Sequence, residues 1–155
     1  MFRAFVFGLV LLTVACGKEP RTIYDDFELA THDESGERSC SVMGGTSHLT
    51  CRYRLDEIPG IGQDSAGVRT VGYLLRDAGR LRLAEMPDGA GVSIPVSEIR
   101  PSVLEWLPDA LIEQKHPAVV RGFYHTDTGS IEIISIGGLN VPGWPELEIP
   151  PPEER

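Results

Sequence analysis

Val68-Arg69-Thr70-Val71-Gly72-Tyr73-Leu74-Leu75-Arg76-Asp77-Ala78-Gly79-Arg80-Leu81-Arg82-Leu83 decides the fold. Residues 68–75 read as a strand with Val71, Tyr73 and Leu75 on one face, by the two-residue period of extended chain. Arg76-Asp77-Ala78-Gly79 reads as a turn. Gly79 is suited to the left-handed position of a three-residue hairpin loop. Residues 80–86 form the returning strand, with Leu81 and Leu83 facing in and Arg80 and Arg82 facing out. Two strands joined this tightly must lie antiparallel and share a buried face.

The same grammar continues downstream. Pro87-Asp88-Gly89-Ala90-Gly91 is a turn and residues 92–96 a third, short strand. Ser102-Val103-Leu104-Glu105 has the form of a capping box, so a helix is expected to begin there. Val103, Leu107 and Leu111 follow at four-residue steps. Pro108 should kink or split that helix, and Pro117 ends it. Residues 118–125 form a fourth strand, Asp127-Thr128-Gly129 a turn and residues 130–137 a fifth strand. Gly72-Tyr73-Leu74 with Asp77, Gly79, Leu81 and Leu83 matches Gly122-Phe123-Tyr124 with Asp127, Gly129, Ile131 and Ile133 at a constant offset of 50. Two similar hairpins solving one turn problem account for this better than a duplication, because the strand and helix between them have no second copy.

Three strands, a helix and two strands over residues 64–139 resemble the OB-fold, a five-stranded barrel with its helix between the third and fourth strands. Gly72, midway along the first strand, would permit the coiling that closes such a barrel. The expected fold class is therefore mainly β: a small five-stranded OB-like barrel with one short, Pro-kinked helix. Tyr73, Phe123 and Tyr124 are read as barrel core, with a ligand groove as the alternative.

Upstream, residues 38–58 read as a hairpin turning at Gly44-Gly45. If Cys40 faces Cys51, then Val42 faces Leu49, Tyr53 and Leu55 continue that face, and Arg52 and Arg54 point to solvent. Ten residues lie between Cys40 and Cys51 in the chain, unlike a redox or zinc CxxC pair, and a structural disulfide is expected. Pro59-Gly60-Ile61-Gly62 reads as a loop. Its glycines do not make a phosphate cradle, since no helix pattern follows. Ile23 and Phe27, one turn apart after Thr22, give a weak helix signal. The acidic run at residues 32–37 lacks the alternating ligands of a calcium loop.

Residues 1–16 carry a different message. Arg3 precedes a charge-free run from Ala4 to Ala15, followed by Cys16. A cationic start, a short apolar core and a small residue before the cut describe a signal segment. Leu12-Thr13-Val14-Ala15-Cys16 resembles the lipobox of bacterial lipoproteins. That resemblance implies removal of residues 1–15, acylation of Cys16 and attachment to the envelope. Gly17 rather than Asp after the cysteine points to the outer membrane, facing the periplasm. Residues 16–37 would then be a lipidated cysteine and polar tether, and residues 140–155 a Pro-rich acidic tail. Trp144 within that tail would either dock on the domain or contact a partner.

Lys plus Arg number 14 against 23 Asp plus Glu, a formal net charge of −9. Such a balance argues against nucleic acid as a partner and leaves membrane attachment to the lipid. His32, His48, His116 and His125 are not at metal-ligand spacing. No GxSxG, P-loop, HExxH or CxxC occurs, and Ser47-His48 are strand neighbours that point apart. No catalytic, metal or cofactor residue is expected, and no cofactor. The expected function is that of a lipid-anchored, non-enzymatic binding or interaction module, with the bilayer and an envelope protein as partners. The alternatives are a small envelope enzyme with a scattered site and an assembly factor of an envelope complex.

Overall fold

The structure, a computed structural model, describes residues 23–26, 32–42, 47–105 and 109–138. Cys16, the Gly44-Gly45 turn, Leu107, Pro108 and Trp144 lie outside these residues. Among the described residues seven strands form one sheet: β1 (Cys40–Val42), β2 (Leu49–Arg52), β3 (Ala66–Asp77), β4 (Arg80–Ala84), β5 (Ser93–Ile99), β6 (Pro117–His125) and β7 (Ser130–Gly138). Their order is β1-β2-β3-β4-β5-β7-β6, and β3 also pairs with β6. That last pairing closes β3 to β7 into a barrel. Strands β5 and β7 run parallel, and the other barrel pairs run antiparallel. Helices α2 (Pro101–Leu104) and α3 (Asp109–Glu113) stand between β5 and β6. The fold is thus mainly β and OB-like, and a disulfide-closed hairpin precedes the barrel.

The interior is aliphatic. Val68, Leu74, Leu83, Ile94, Val120, Ile131 and Ile133 fill the barrel, joined by Val103 of α2 and Leu111 of α3. Leu55 and Ile58 enter the same core from a 3-10 helix, Leu55–Gly60. Burying each such side chain contributes roughly 1.5–3 kcal/mol. Strand β3 spans 12 residues and is long enough to pair with β6 through its first part and β4 through its last. Gly72 faces inward where a Cβ would stand 2.8 Å from both Leu55 Cδ1 and Leu83 Cδ1. Its role is therefore close packing as much as backbone freedom.

The outer face of β3 is partly covered. Helix α1 (Ile23–Asp26) places Ile23 over Val71, Tyr73, Leu75 and Ala84. Ile23 and Tyr24 belong to the stretch read above as a tether, yet they are 5% and 7% exposed. Tyr24 accepts a hydrogen bond from Leu55 N at 3.1 Å, and the Arg54 guanidinium lies 4.6 Å from its ring centre. Burial raises the phenol above its ordinary pKa near 10. The fold thus favours the neutral phenol. That contribution is complete below about pH 10 and is lost as pH rises beyond it. Tyr24→Phe leaves the buried Leu55 N–H without its acceptor. It should lower stability by about 1–3 kcal/mol in urea unfolding at neutral pH and flatten the alkaline fall.

Several expected details differ. The β3–β4 loop has two residues, Ala78 and Gly79, because Asp77 pairs with Arg80. Both have positive φ, 47° and 79°, the twist that matches antiparallel strands. Strand β5 runs on to Ile99 because it gains β7 as a parallel partner. The helix begins at Pro101 with Arg100 as its cap, so Ser102 is not the capping residue. Proline fits a first helical position that needs no N–H donor. Strand β2 ends at Arg52, and Leu55 is buried in the 3-10 helix where a loop was expected around Pro59 and Gly60. Tyr73 lies in the outer cluster beneath Ile23, Tyr24 and Tyr124 lie in the core, and Phe123 faces outward and is half-buried.

Candidate functional site

Alternation along β3 and β6 sends Arg69 and Arg121 to the outer wall. Antiparallel register makes them direct partners. Strand β2 adds to the other side of β3 in parallel, and its register pairs Arg52 with Arg69. Three guanidinium-bearing residues therefore stand in one row across three adjacent strands, which lie about 4.8 Å apart. The parallel joint is possible because Gly67 presents no side chain. A Cβ there would collide with the Leu49 carbonyl oxygen. The hairpin's own register pairs Cys40 with Cys51 and Val42 with Leu49, and the two cysteines are bonded at 1.99 Å.

Like charges directly opposite each other destabilise a sheet. Partial burial, then Arg121 and Arg52, lower the pKa of the Arg69 guanidinium from its ordinary value. Nearby arginines are handled differently. Arg38 meets Glu57 at 3.0 Å and lies 4.3 Å from the Tyr53 ring centre, and Arg54 meets Asp56 at 3.3 Å. Among the described residues, neither Arg52 nor Arg121 forms an ion pair. Two residues along the strands, Gly67 pairs with Phe123, whose ring meets His48 edge-on at 5.1 Å. The wall thus combines positive charge with an aromatic flank. Arg52, Arg69 and Arg121 read individually as ordinary outward positions, and no local motif marks them. The signal lies in pairing between segments far apart in the chain.

The histidines do not converge. His48 lies against Phe123, and buried His116 donates from Nδ1 to the Pro117 carbonyl at 2.9 Å. His125 stands with Ser65, 3.4 Å from its Oγ, and with Glu132, 3.6 Å from Oε2. Ser65 has φ 55°, a strained value for a residue with a side chain. This group has the membership of a nucleophile, base and acid, but its arrangement is that of a clasp. Glu132 also faces Arg100 at 3.4 Å. Asp64 accepts from Thr126 N at 3.0 Å and from its hydroxyl at 3.4 Å. These contacts tie the loop before β3 to the β6–β7 hairpin. They also hold the Asp64 carboxyl below its ordinary pKa, the Thr126 N–H being the largest cause. Among the described residues no three His, Cys, Asp or Glu side chains gather as metal ligands.

No protein-family model and no curated protein sequence matches the chain. Two solved structures are similar in shape. The S. pombe Stn1-Ten1 complex has 18% identity and a TM-score of 0.45, covering 64% of this chain and 83% of that one. The telomere capping protein Ten1 from Saccharomyces pombe has 20% identity and a TM-score of 0.40, covering 56% of this chain and 78% of that one.

The address and partners read from the first sixteen residues and from net charge find no counterpart in these neighbours. One is a Stn1-Ten1 complex and the other a telomere capping protein, and neither is named as an envelope lipoprotein. The lipid-anchored envelope role, the outer-membrane location, the bilayer as partner and the exclusion of nucleic acid are therefore not retained. The physical reasons are plain. A signal-like segment is a local property and says nothing of what a barrel binds, and Cys16 lies outside the described residues. Net charge is an average, and it hides the arginine row on the wall.

Proposed function

We propose that this chain is a non-enzymatic binding module that receives an anionic partner on the barrel wall at Arg52, Arg69 and Arg121. The partner presents carboxylates or phosphates, the groups that a guanidinium engages through two parallel hydrogen bonds. The observation that supports this reading is the row itself: three like charges in cross-strand register on a chain with formal net charge −9. Like charges in direct register disfavour a sheet, and an anion held by Arg52 and Arg121 would relieve that cost. Phe123 and His48 flank the row with rings that can pack on the partner.

The test sets stability against affinity. Arg121→Gln removes one like charge, so the free protein should become more stable by a few tenths of a kcal/mol. The same change should weaken binding about tenfold or more and shallow its salt dependence. Fluorescence anisotropy with a labelled oligo-glutamate and a labelled oligo-dT, at low and at physiological salt, reads the affinity and separates carboxylate from phosphate partners. The reading fails if neither probe binds, or if Arg52→Gln and Arg121→Gln leave binding intact.

A further inference from the structure

A second positively charged feature lies away from the wall just described. Where β3 ends, the loop after β4 and the end of α3 enclose a cleft of about 400 Å³. Small-molecule sites are typically of this size. Its floor is apolar, built from Leu75 and Ile112, which are 7% and 8% exposed. Arg82 enters it from β4, directly opposite Leu75 in register.

The loop fixes this guanidinium. Gly89 has φ 81°, and a Cβ there would stand 2.5 Å from a terminal nitrogen of Arg82. The loop backbone therefore lies against the side chain, and Leu75 supports the strand beside it. Arg82 Nε is buried and has no hydrogen-bond partner. An Nε–H closed to water is equally closed to a ligand, so Arg82 meets an anion through the atoms that line the cleft. Lys115 brings a second cation from the residues just after α3, held at φ 49°.

The remaining charges set the ligand's valence. Arg76 reaches Asp109 at 3.7 Å, and Asp88 accepts from Ala90 N at 2.9 Å. Asp77 and Glu113 also line the cleft. Carboxylates so placed repel a second negative charge on a ligand, while the apolar floor favours a hydrocarbon body.

We infer that this cleft binds a small organic monoanion, its carboxylate on Arg82 and Lys115 and its apolar body against Leu75, Ile112 and Pro87. The site is independent of the arginine row, and Arg52 and Arg121 play no part in it.

The experiment is an NMR titration of the full chain with sodium hexanoate, with inorganic phosphate as the second probe. Hexanoate should move the Arg82 Nε–H resonance and the Leu75 and Ile112 methyl resonances together, saturably, at millimolar concentration. Lys115→Gln should weaken that response several-fold, and Arg82→Gln should remove the methyl shifts while the remaining spectrum stays dispersed. Three results overturn the inference. Hexanoate produces no saturable shift, or the methyl shifts persist unchanged in both variants, or phosphate reproduces the whole response. The last would mean that the cleft reads charge alone.

Discussion

Gly122→Ala should lower the thermal midpoint by roughly 10 °C or more, a loss of about 3 kcal/mol for a domain of this size. Gly122 sits on the inner side of β6 where β7 shifts register. A Cβ there would collide with the Glu132 carbonyl oxygen and press on Ile131 Cγ1 at 3.2 Å. An alanine elsewhere in the barrel can push a side chain aside, but here the obstacle is the backbone of a paired strand. The strand must move, and moving it breaks the β6–β7 ladder. Differential scanning calorimetry reads the effect, and a midpoint within about 2 °C of the parent would refute the account. Gly79→Ala gives the contrast. That position, unlike Gly122, has positive φ, but nothing lies within 4 Å of a new Cβ, so only backbone strain of about 1 kcal/mol is expected.

Leu83→Ala is the second large effect. Leu83 is fully buried between strands β3 and β5. Truncating it should destabilise the protein by about 2–5 kcal/mol through lost transfer energy and the cavity left behind. Gly72→Ala alone should cost about 1–3 kcal/mol by overpacking, since its Cβ would stand 2.8 Å from the very methyl that Leu83→Ala removes. The two changes are therefore coupled. The double variant should be more stable than the sum of the two losses implies, because the added methyl enters part of the space vacated. Leu55 Cδ1 at 2.8 Å and the Ala84 carbonyl at 3.0 Å limit that recovery. Urea unfolding of all four proteins gives the coupling energy, and strict additivity would show that Gly72 and Leu83 do not share that space.

The barrel was legible because its information is local. Alternation along residues 68–83 and 118–137, with Gly79 and Gly129 at positive φ, specifies two hairpins whatever surrounds them. The candidate site was not legible for the opposite reason. Arg52, Arg69 and Arg121 come from three separate segments, and a parallel joint between β2 and β3 has no turn to announce it. Each arginine then looks like any solvated residue of an alternating strand. Ile23 gave a weak helix signal, and a short helix is there, but polar neighbours hid its packing on Val71 and Tyr73, so the segment read as part of a tether. The 3-10 helix at Leu55–Gly60 was masked by Pro59 and Gly60, residues that mark a loop in most contexts. Arg82 was correctly turned outward by periodicity, but periodicity along one strand cannot show that a later loop folds back over it.

The disulfide hairpin also governs how one copy of this protein meets another. Closing β3 to β7 into a ring leaves those strands no continuous free border, and β2 pairs with Val68 and Arg69 in the part of β3 that β4 does not reach. Among the described residues the unpaired rim of the sheet is therefore β1, three residues long. So short a rim is a poor template for strand-by-strand association of chains, and the Cys40–Cys51 bond ties it to β2. The same small hairpin that contributes Arg52 to the wall thus shields the barrel against aggregation.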